Sequence, residues 1–211
     1  MRVVITGASR GIGVGLAEGY AARGDSVIGT TRDGPHPLDV SNPERHAAFA
    51  RSLEGQPVDL LICNAGVYLD KGARLEDGYP AAQWAESFAV NVTGVFLSIQ
   101  TLLPNLRAAH GRIAIISSQM ASTEHAPGGS YIYRASKAAV LNIGRNLASD
   151  LKADGIAVGI YHPGWVQTDM GGSAAAITVA ESVRGLMARF DALDPGRTGV
   201  FETWDGRPHP Y

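Results

Sequence analysis

The chain has one cysteine in 211 residues, Cys63, so no intrachain disulfide can staple it. Its histidines and acids show no zinc spacing, so no metal is expected in the site. A lone thiol suits a reducing compartment, and the expected location is cytoplasmic. Lysine is almost as scarce: Lys71, Lys137 and Lys152 are the only three, and the arginines are scattered. With a net charge of −2 there is neither the basic field that displaces counterions from nucleic acid nor a polybasic membrane anchor. Neither nucleic acid nor membrane is an expected partner. Met1-Arg2 passes straight into Val3-Val4-Ile5 without a signal-like apolar stretch, and no later run reads as approaching a membrane span. A charged fraction of 18% and 26 glycines with 11 prolines exclude disordered and collagenous classes. A chain of this length buries about 70% of its unfolded surface, enough for a single domain over 1–211.

What is present is alternation. Short β-branched runs are each followed by a longer segment with helical apolar spacing, the pattern of βαβ units on a parallel sheet. Seven strands are predicted: Arg2 to Thr6, Ser26 to Thr30, a minimal one before Asp39, Val58 to Cys63, Arg112 to Ser117, Gly155 to Tyr161 and Val200 to Thr203. Helices fall near Ile12 to Ala22, Pro43 to Leu53, Ala81 to Ala109, Tyr131 to Ala153 and Thr178 to Phe190. Two of these carry start signals, Ser41-Asn42-Pro43-Glu44 and the capping-box pattern Thr178 to Glu181.

The first strand enters Thr6-Gly7-Ala8-Ser9-Arg10-Gly11-Ile12-Gly13, a glycine-rich turn that opens a helix. Glycine lets the backbone approach a pyrophosphate, and the helix N-terminus supplies free N–H groups and a positive dipole end. Strand before and helix after are the context of dinucleotide binding. Where an NAD site would carry an acid to hold the ribose 2′-hydroxyl, this chain has Thr30-Thr31-Arg32. Arg32 can grip a 2′-phosphate bidentately and Arg10 can add a second cation, so NADP(H) is favoured over NAD(H). Asp33 follows directly and offers the competing acidic role. In Leu38-Asp39-Val40, Asp39 is either a partner for an adenine amino group or a helix-initiating turn residue.

Tyr133 and Lys137 stand at i and i+4 and project from one helix face. A neighbouring ammonium stabilises tyrosinate and is expected to lower the phenol pKa toward working pH. Ser117 and Ser118 end the fifth predicted strand, where hydroxyls can bind a developing oxyanion; alternation says only that the two face opposite ways. Tyr131 has Ala135 at i+4 and lies on another face. His125 and His162 are read as ordinary loop histidines and Cys63 as a buried hydrophobe. Met120, Trp165 and Met170 are candidates for an apolar pocket wall.

Together these residues resemble the family of short-chain dehydrogenases/reductases, in the family's order and over nearly the whole chain. The motifs are Thr6-Gly7-x-x-x-Gly11-Ile12-Gly13, Asn64-Ala65-Gly66, Asn91, Ser118, Tyr133-x-x-x-Lys137 and Pro163-Gly164. Tyr133 to Ala139 and His162 to Gly172 are similar to the C-factor-like and sniffer-type carbonyl reductase branch. The fifteen residues from Ser118 to Tyr133 exceed the usual spacing, an excess that Gly128-Gly129-Ser130 can absorb. The resemblance implies a doubly wound Rossmann sheet of order 3-2-1-4-5-6-7 with helices on both faces. It further implies that Tyr133 is the proton donor, that Lys137 lowers its pKa and holds the nicotinamide ribose, that Ser118 polarises the carbonyl, and that Asn91 holds a water linking Lys137 to solvent. Asn64, Ala65 and Gly66 would line the adenosine side, and Pro163, Gly164, Val166 and Thr168 the nicotinamide carboxamide. It chooses Ser118 over Ser117.

The expected reaction is hydride transfer between nicotinamide and a small carbonyl compound or secondary alcohol, chiefly NADPH-driven reduction. The rival is a cofactor-binding signalling protein of the same fold. An extended-type epimerase is disfavoured by the three residues between Gly7 and Gly11 and by the lack of a large C-terminal substrate domain, and an enoyl reductase by the short Tyr-to-Lys spacing. Residues 165–190 are the expected lid, small enough to imply an open pocket and broad carbonyl acceptance. The long helices resemble the family's subunit contacts, implying a homodimer or homotetramer.

Overall fold

The β-branched and leucine-rich runs form six parallel strands in a computed structural model that describes residues 1–76 and 78–211. They are β1 (Arg2–Ile5), β2 (Ser26–Gly29), β3 (Leu60–Cys63), β4 (Arg112–Ile116), β5 (Ala157–His162) and β6 (Phe201–Thr203), in the order β2-β1-β3-β4-β5-β6. Between them run α1 (Gly11–Ala22), α2 (Pro43–Ser52), α3 (Ala81–Phe88), α4 (Gly94–Ala109), α5 (Tyr131–Asp150) and α6 (Val179–Asp191). Alternate strand residues feed two cores, since successive side chains point to opposite faces. Val4, Leu61, Ile113, Ile115, Val158 and Ile160 pack on one face with residues such as Phe49, Ile99, Leu102 and Val140. Val3, Ile5, Leu60, Ile62 and Tyr161 pack on the other with Leu16, Tyr20, Leu186 and Phe190. Both faces are covered, which is why β3 reads as an unbroken apolar run.

The sheet has six strands where seven were expected, and the missing one is the minimal strand before Asp39. Only an isolated bridge forms there, between Thr31 and Pro37. Thr31 N–H donates to His36 O at 3.3 Å and Leu38 N–H to Thr31 O at 2.8 Å, but Pro35 and Pro37 have no N–H with which to extend a ladder. With that strand removed, the expected order and the observed one coincide. The opposite edge ends the same way, in a bridge from Glu202 of β6 to Pro208.

Both helix-start signals are realised. Asn42 accepts from the N–H of Glu44 and Arg45 ahead of Pro43, and Thr178 and Glu181 form a reciprocal capping box. Ala81–Ala109 is one continuous 29-residue helical run, interrupted by a π-helical turn at Ala89–Thr93. Contrary to the sequence expectation, it is long and apolar enough to cross a membrane by length and composition alone. In the fold Val95, Ile99, Leu102 and Leu106 bury that apolar character against the sheet. Because every strand is parallel, all six carboxyl ends gather along one edge, where open α/β sheets bind ligands.

Candidate functional site

The glycine turn follows β1 directly. Gly7 and Gly11 sit at φ +69° and +56°, where L side chains are strained, and a Cβ on Gly13 would fall 2.2 Å from the Gly7 carbonyl oxygen. Asn64 reaches over from the end of β3, its Nδ2 donating to Thr6 O at 3.1 Å and Gly7 O at 2.9 Å. Thr6 Oγ1 accepts from the N–H groups of Asn64 and Ala65, both at 3.1 Å. Unlike α2 and α6, α1 has no side-chain cap and no acid in its first turn, so its leading N–H groups and dipole are left for an anion. The cradle therefore fits a dinucleotide pyrophosphate. Ser9 and Arg10 lie exposed on the turn, and Gly11 packs toward Thr168, whose Cγ2 would be 3.2 Å from a Cβ there.

Beyond β2, Arg32 is exposed beside half-buried Thr31. Arg10 pairs with Asp169 at 2.8 Å, and both side chains are 75% exposed, so the pair is weak and easily exchanged for another anion. Asp39 makes turn bonds through one carboxylate oxygen: its Oδ1 accepts from Ser41 N–H at 2.9 Å and Ser41 Oγ at 2.7 Å. Those bonds, then the Arg32 and Arg45 charges, hold its carboxyl below the usual range. Val40 is buried in the core, and its carbonyl oxygen lies 2.8 Å from His46 Nε2.

Three elements converge at the strand ends. Ser118 follows β4, and its side chain faces the Tyr133 phenol, whose pKa it lowers, while its Oγ accepts from Met120 N–H at 3.1 Å. Ser117 turns the other way and donates to Lys137 O at 3.1 Å, so of the two serines Ser118 is the one that meets Tyr133. Lys137 is buried, donates from Nζ to Ile116 O at 3.0 Å, and lies 5.7 Å from the Tyr133 ring centre. Asn91 sits fully buried in the π-helical turn. Its Oδ1 accepts from Val67 N–H at 2.8 Å, and its Nδ2 donates to Val67 O at 2.9 Å and Ser136 Oγ at 3.0 Å. Gly66 lies between these groups: a Cβ there would be 3.3 Å from Asn91 Oδ1 and 3.6 Å from Lys137 Nζ.

The electrostatics correct one expectation. Burial pushes the Tyr133 phenol up to about 12, against the lowering effect of Ser118, with Tyr68 and Asp70 adding in the same upward direction. Burial also pulls Lys137 down to about 8. The phenol is thus held protonated, opposite to the expected lowering, because desolvation prevails over the lowering effect of Ser118. Burial brings His162 down to about 4 and Cys63 up to about 12, so neither imidazolium nor thiolate is present at neutral pH. Among the described residues no group of three or more His, Cys, Asp or Glu side chains could hold a metal ion.

The far wall runs from Pro163 to Ile177. Pro163 O accepts from Ser182 Oγ at 2.6 Å, Gly164 sits at φ +90°, and buried Val166 bridges Ile177. Thr168 Oγ1 donates to Val166 O at 3.3 Å and accepts from Gly171 N–H at 3.1 Å. Lys71 Nζ donates to Met170 O at 2.9 Å, linking this loop to the one after β3. Within 165–190, α6 is packed into the core through Val183, Leu186 and Phe190, whereas Thr168 and Asp169 of the loop before it approach Gly11 and Arg10 of the glycine turn.

Sequence reasoning passed over Tyr68, Asp70 and Lys71. The Tyr68 ring stacks on Tyr133 with centroids 4.2 Å apart, and its hydroxyl is hydrogen-bonded to Ser130. Asp70 accepts from the N–H groups of Ile132 and Tyr133. The one available signal was position, four residues past an Asn-Ala-Gly run at a strand end.

A parallel sheet, a glycine turn at its first crossover and Ser, Tyr and Lys at the strand ends define a Rossmann domain of dehydrogenase type. The sequence model of the short chain dehydrogenase family matches residues 34–176, and the chain belongs to that family of oxidoreductases. It is 39% identical over 166 residues to C-signal of Myxococcus xanthus, covering 78% of this chain and 99% of that one. Among solved structures it resembles NADPH-bound carbonyl reductase from chicken fatty liver at 29% identity and TM-score 0.91, covering 100% of this chain and 98% of that one. It also resembles the carbonyl reductase Sniffer of Drosophila melanogaster at 26% identity and TM-score 0.92, covering 100% and 99%. The branch resemblance read from sequence agrees with these relatives.

Proposed function

We propose that the protein is an NADP(H)-dependent carbonyl reductase that uses Tyr133 as the proton donor. The observation that carries this reading is the convergence of Ser118, Tyr133 and Lys137 at the carboxyl ends of the strands, with the Lys137 ammonium 5.7 Å from the Tyr133 ring centre. NADPH, when bound, supplies the hydride. Gly7, Ser9, Arg10, Gly11, Ile12 and Gly13 would hold its pyrophosphate, Thr31 and Arg32 its 2′-phosphate, and Asp39 and Val40 the adenine side. Asn64, Ala65 and Gly66 would line the adenosine, Lys137 the nicotinamide ribose, and Pro163, Gly164, Val166 and Thr168 the carboxamide.

Ser118 orients the substrate carbonyl toward Tyr133, and Tyr133 releases its phenolic proton to the oxygen as that oxygen gains electron density. A phenol held protonated by burial suits this direction. Lys137, the one buried ammonium at the site, supplies the positive charge that stabilises the tyrosinate left behind. Asn91 holds the loop after β3 through both polar atoms of its side chain, which fixes the floor of the site; a water there would link Lys137 to solvent.

The loop 165–178 serves as a small lid over an open pocket, and the substrates are small carbonyl compounds accepted broadly. The setting is a cytoplasmic NADP pool. Subunits pair through the α3–α4 run and α5, where Trp84 and Phe96 are exposed, into a homodimer or homotetramer. A second reading, a cofactor-binding signalling protein with little turnover, is favoured by the name of the Myxococcus relative. Fluorescence titration with NADPH and NADH, followed by a panel of carbonyl substrates, separates them. Tight NADPH binding with turnover supports the reductase, whereas binding without turnover on any compound supports the signalling reading.

A further inference from the structure

We infer that Asp70 is the positioning residue for Tyr133, an inference that rests on the catalytic reading of Tyr133 given above. Tyr133 is the third residue of α5, within the turn whose N–H groups have no intrahelical acceptor. The local chain does not satisfy them: the residue before the helix, Ser130, sits in the left-handed region at φ +50° and makes no side-chain cap. The cap comes from 62 residues earlier. Asp70, 1% exposed, accepts from Ile132 N–H through Oδ2 at 2.8 Å and from Tyr133 N–H through Oδ1 at 3.2 Å. A negative charge at this end of the helix also opposes the positive end of its dipole.

The segment that carries Asp70 is fixed at two further points. Val67 is clamped through both main-chain polar atoms by Asn91, and the Tyr68 ring stacks on Tyr133 itself. Residues 67–70 thus form a brace with one end on Asn91 and the other on the backbone of Tyr133. A cap on a helix remote from the site would affect stability alone. Here it restrains the one residue whose phenol must meet Ser118 and a substrate oxygen at hydrogen-bond distance, so a frayed first turn moves the proton donor off its target.

The test uses full-length protein carrying 3-fluorotyrosine, with the Tyr133 fluorine line assigned by its loss in Tyr133→Phe, and steady-state kinetics on unlabelled protein. In Asp70→Ala the Tyr133 line is expected to shift and broaden while the core Tyr20 and Tyr161 lines stay in place. In the same variant kcat falls by about a hundredfold, with KM for NADPH within about twofold. Asp70→Asn keeps an acceptor oxygen and should recover most of the kcat and the Tyr133 line position. An unmoved Tyr133 line in Asp70→Ala, or joint movement of all three lines, overturns the inference. If the unsubstituted protein reduces no carbonyl compound, the catalytic reading fails, and the fluorine lines still decide whether Asp70 places Tyr133.

Discussion

The Lys137 ammonium passes 5.7 Å from the centre of the Tyr133 ring and donates to the carbonyl oxygen of Ile116 at 3.0 Å. The residue with the strongest claim to help Tyr133 is therefore tied to the end of β4, in a buried place that disfavours its charge.

That cost is measurable. The Lys137 pKa falls from 10.5 to about 8 on folding, so between those values the unfolded chain binds more protons and stability rises with pH. Below pH 8 the full penalty stands, of the order of 3 kcal/mol. Lys137→Met should raise stability at pH 7 by up to that amount, flatten the rise above pH 8 in urea titrations, and abolish turnover. A variant less stable than the parent at pH 7 would show that the bond to Ile116 O outweighs the burial of the charge.

Tyr133→Phe should lower kcat by about 10²- to 10⁴-fold while leaving NADPH binding nearly intact. Tyr131→Phe, which removes a hydroxyl on another helix face, should keep most activity. Steady-state kinetics and cofactor fluorescence on both variants check the pair, and the reverse pattern would move the proton donor to Tyr131.

The phenol also sets a direction with pH. A Tyr133 pKa raised by burial to about 12 keeps the donor protonated at neutral pH, and that form is lost only as pH rises toward the raised value. Reduction should hold through neutral pH and decline in alkali, while alcohol oxidation, which needs the tyrosinate, should climb. Initial rates in both directions from pH 6 to 10 test this; an oxidation optimum at or below neutral pH contradicts it.

Arg32→Ala should weaken NADPH by about 10- to 100-fold through loss of a charge-assisted bond to the 2′-phosphate and leave NADH almost unchanged. Equal weakening of both would transfer cofactor choice to Asp33 or the backbone.

Lys71 bonds the loop 165–178 to the loop after β3 through Met170 O. Lys71→Ala should raise substrate KM by about two- to tenfold and speed proteolytic nicking within residues 171–176. Unchanged nicking would mean that the loop is held by its own contacts, such as Gln167 Nε2 to Ala175 O at 3.1 Å.

What could be read from the sequence was set by local spacing. The glycine turn, the Tyr133 and Lys137 pair, the Asn42 cap and the Thr178 capping box each depend on residues within a turn or two of one another. Ser117 and Ser118 could only be told to oppose each other; which one meets Tyr133 depends on where α5 packs. Asp70 on Tyr133 and Arg10 on Asp169 join positions 63 and 159 residues apart, and no periodicity connects them. The upward direction of the Tyr133 pKa was missed for a related reason: the i+4 lysine is visible in the sequence, whereas the burial that raises the phenol comes from the whole fold. The extra strand was a composition error, since β-like spacing before Asp39 ignored two prolines that cannot donate.

Proline has a further use here at the scale of whole molecules. Pro37 beside β2 and Pro208 beside β6 occupy the two outer flanks of the sheet, each presenting a backbone nitrogen without hydrogen. A second copy meeting either flank would find the ladder blunted, which guards the folded protein against edge-to-edge aggregation. A second copy would instead have to meet the helical surfaces, where side-chain shape rather than backbone pairing decides the fit.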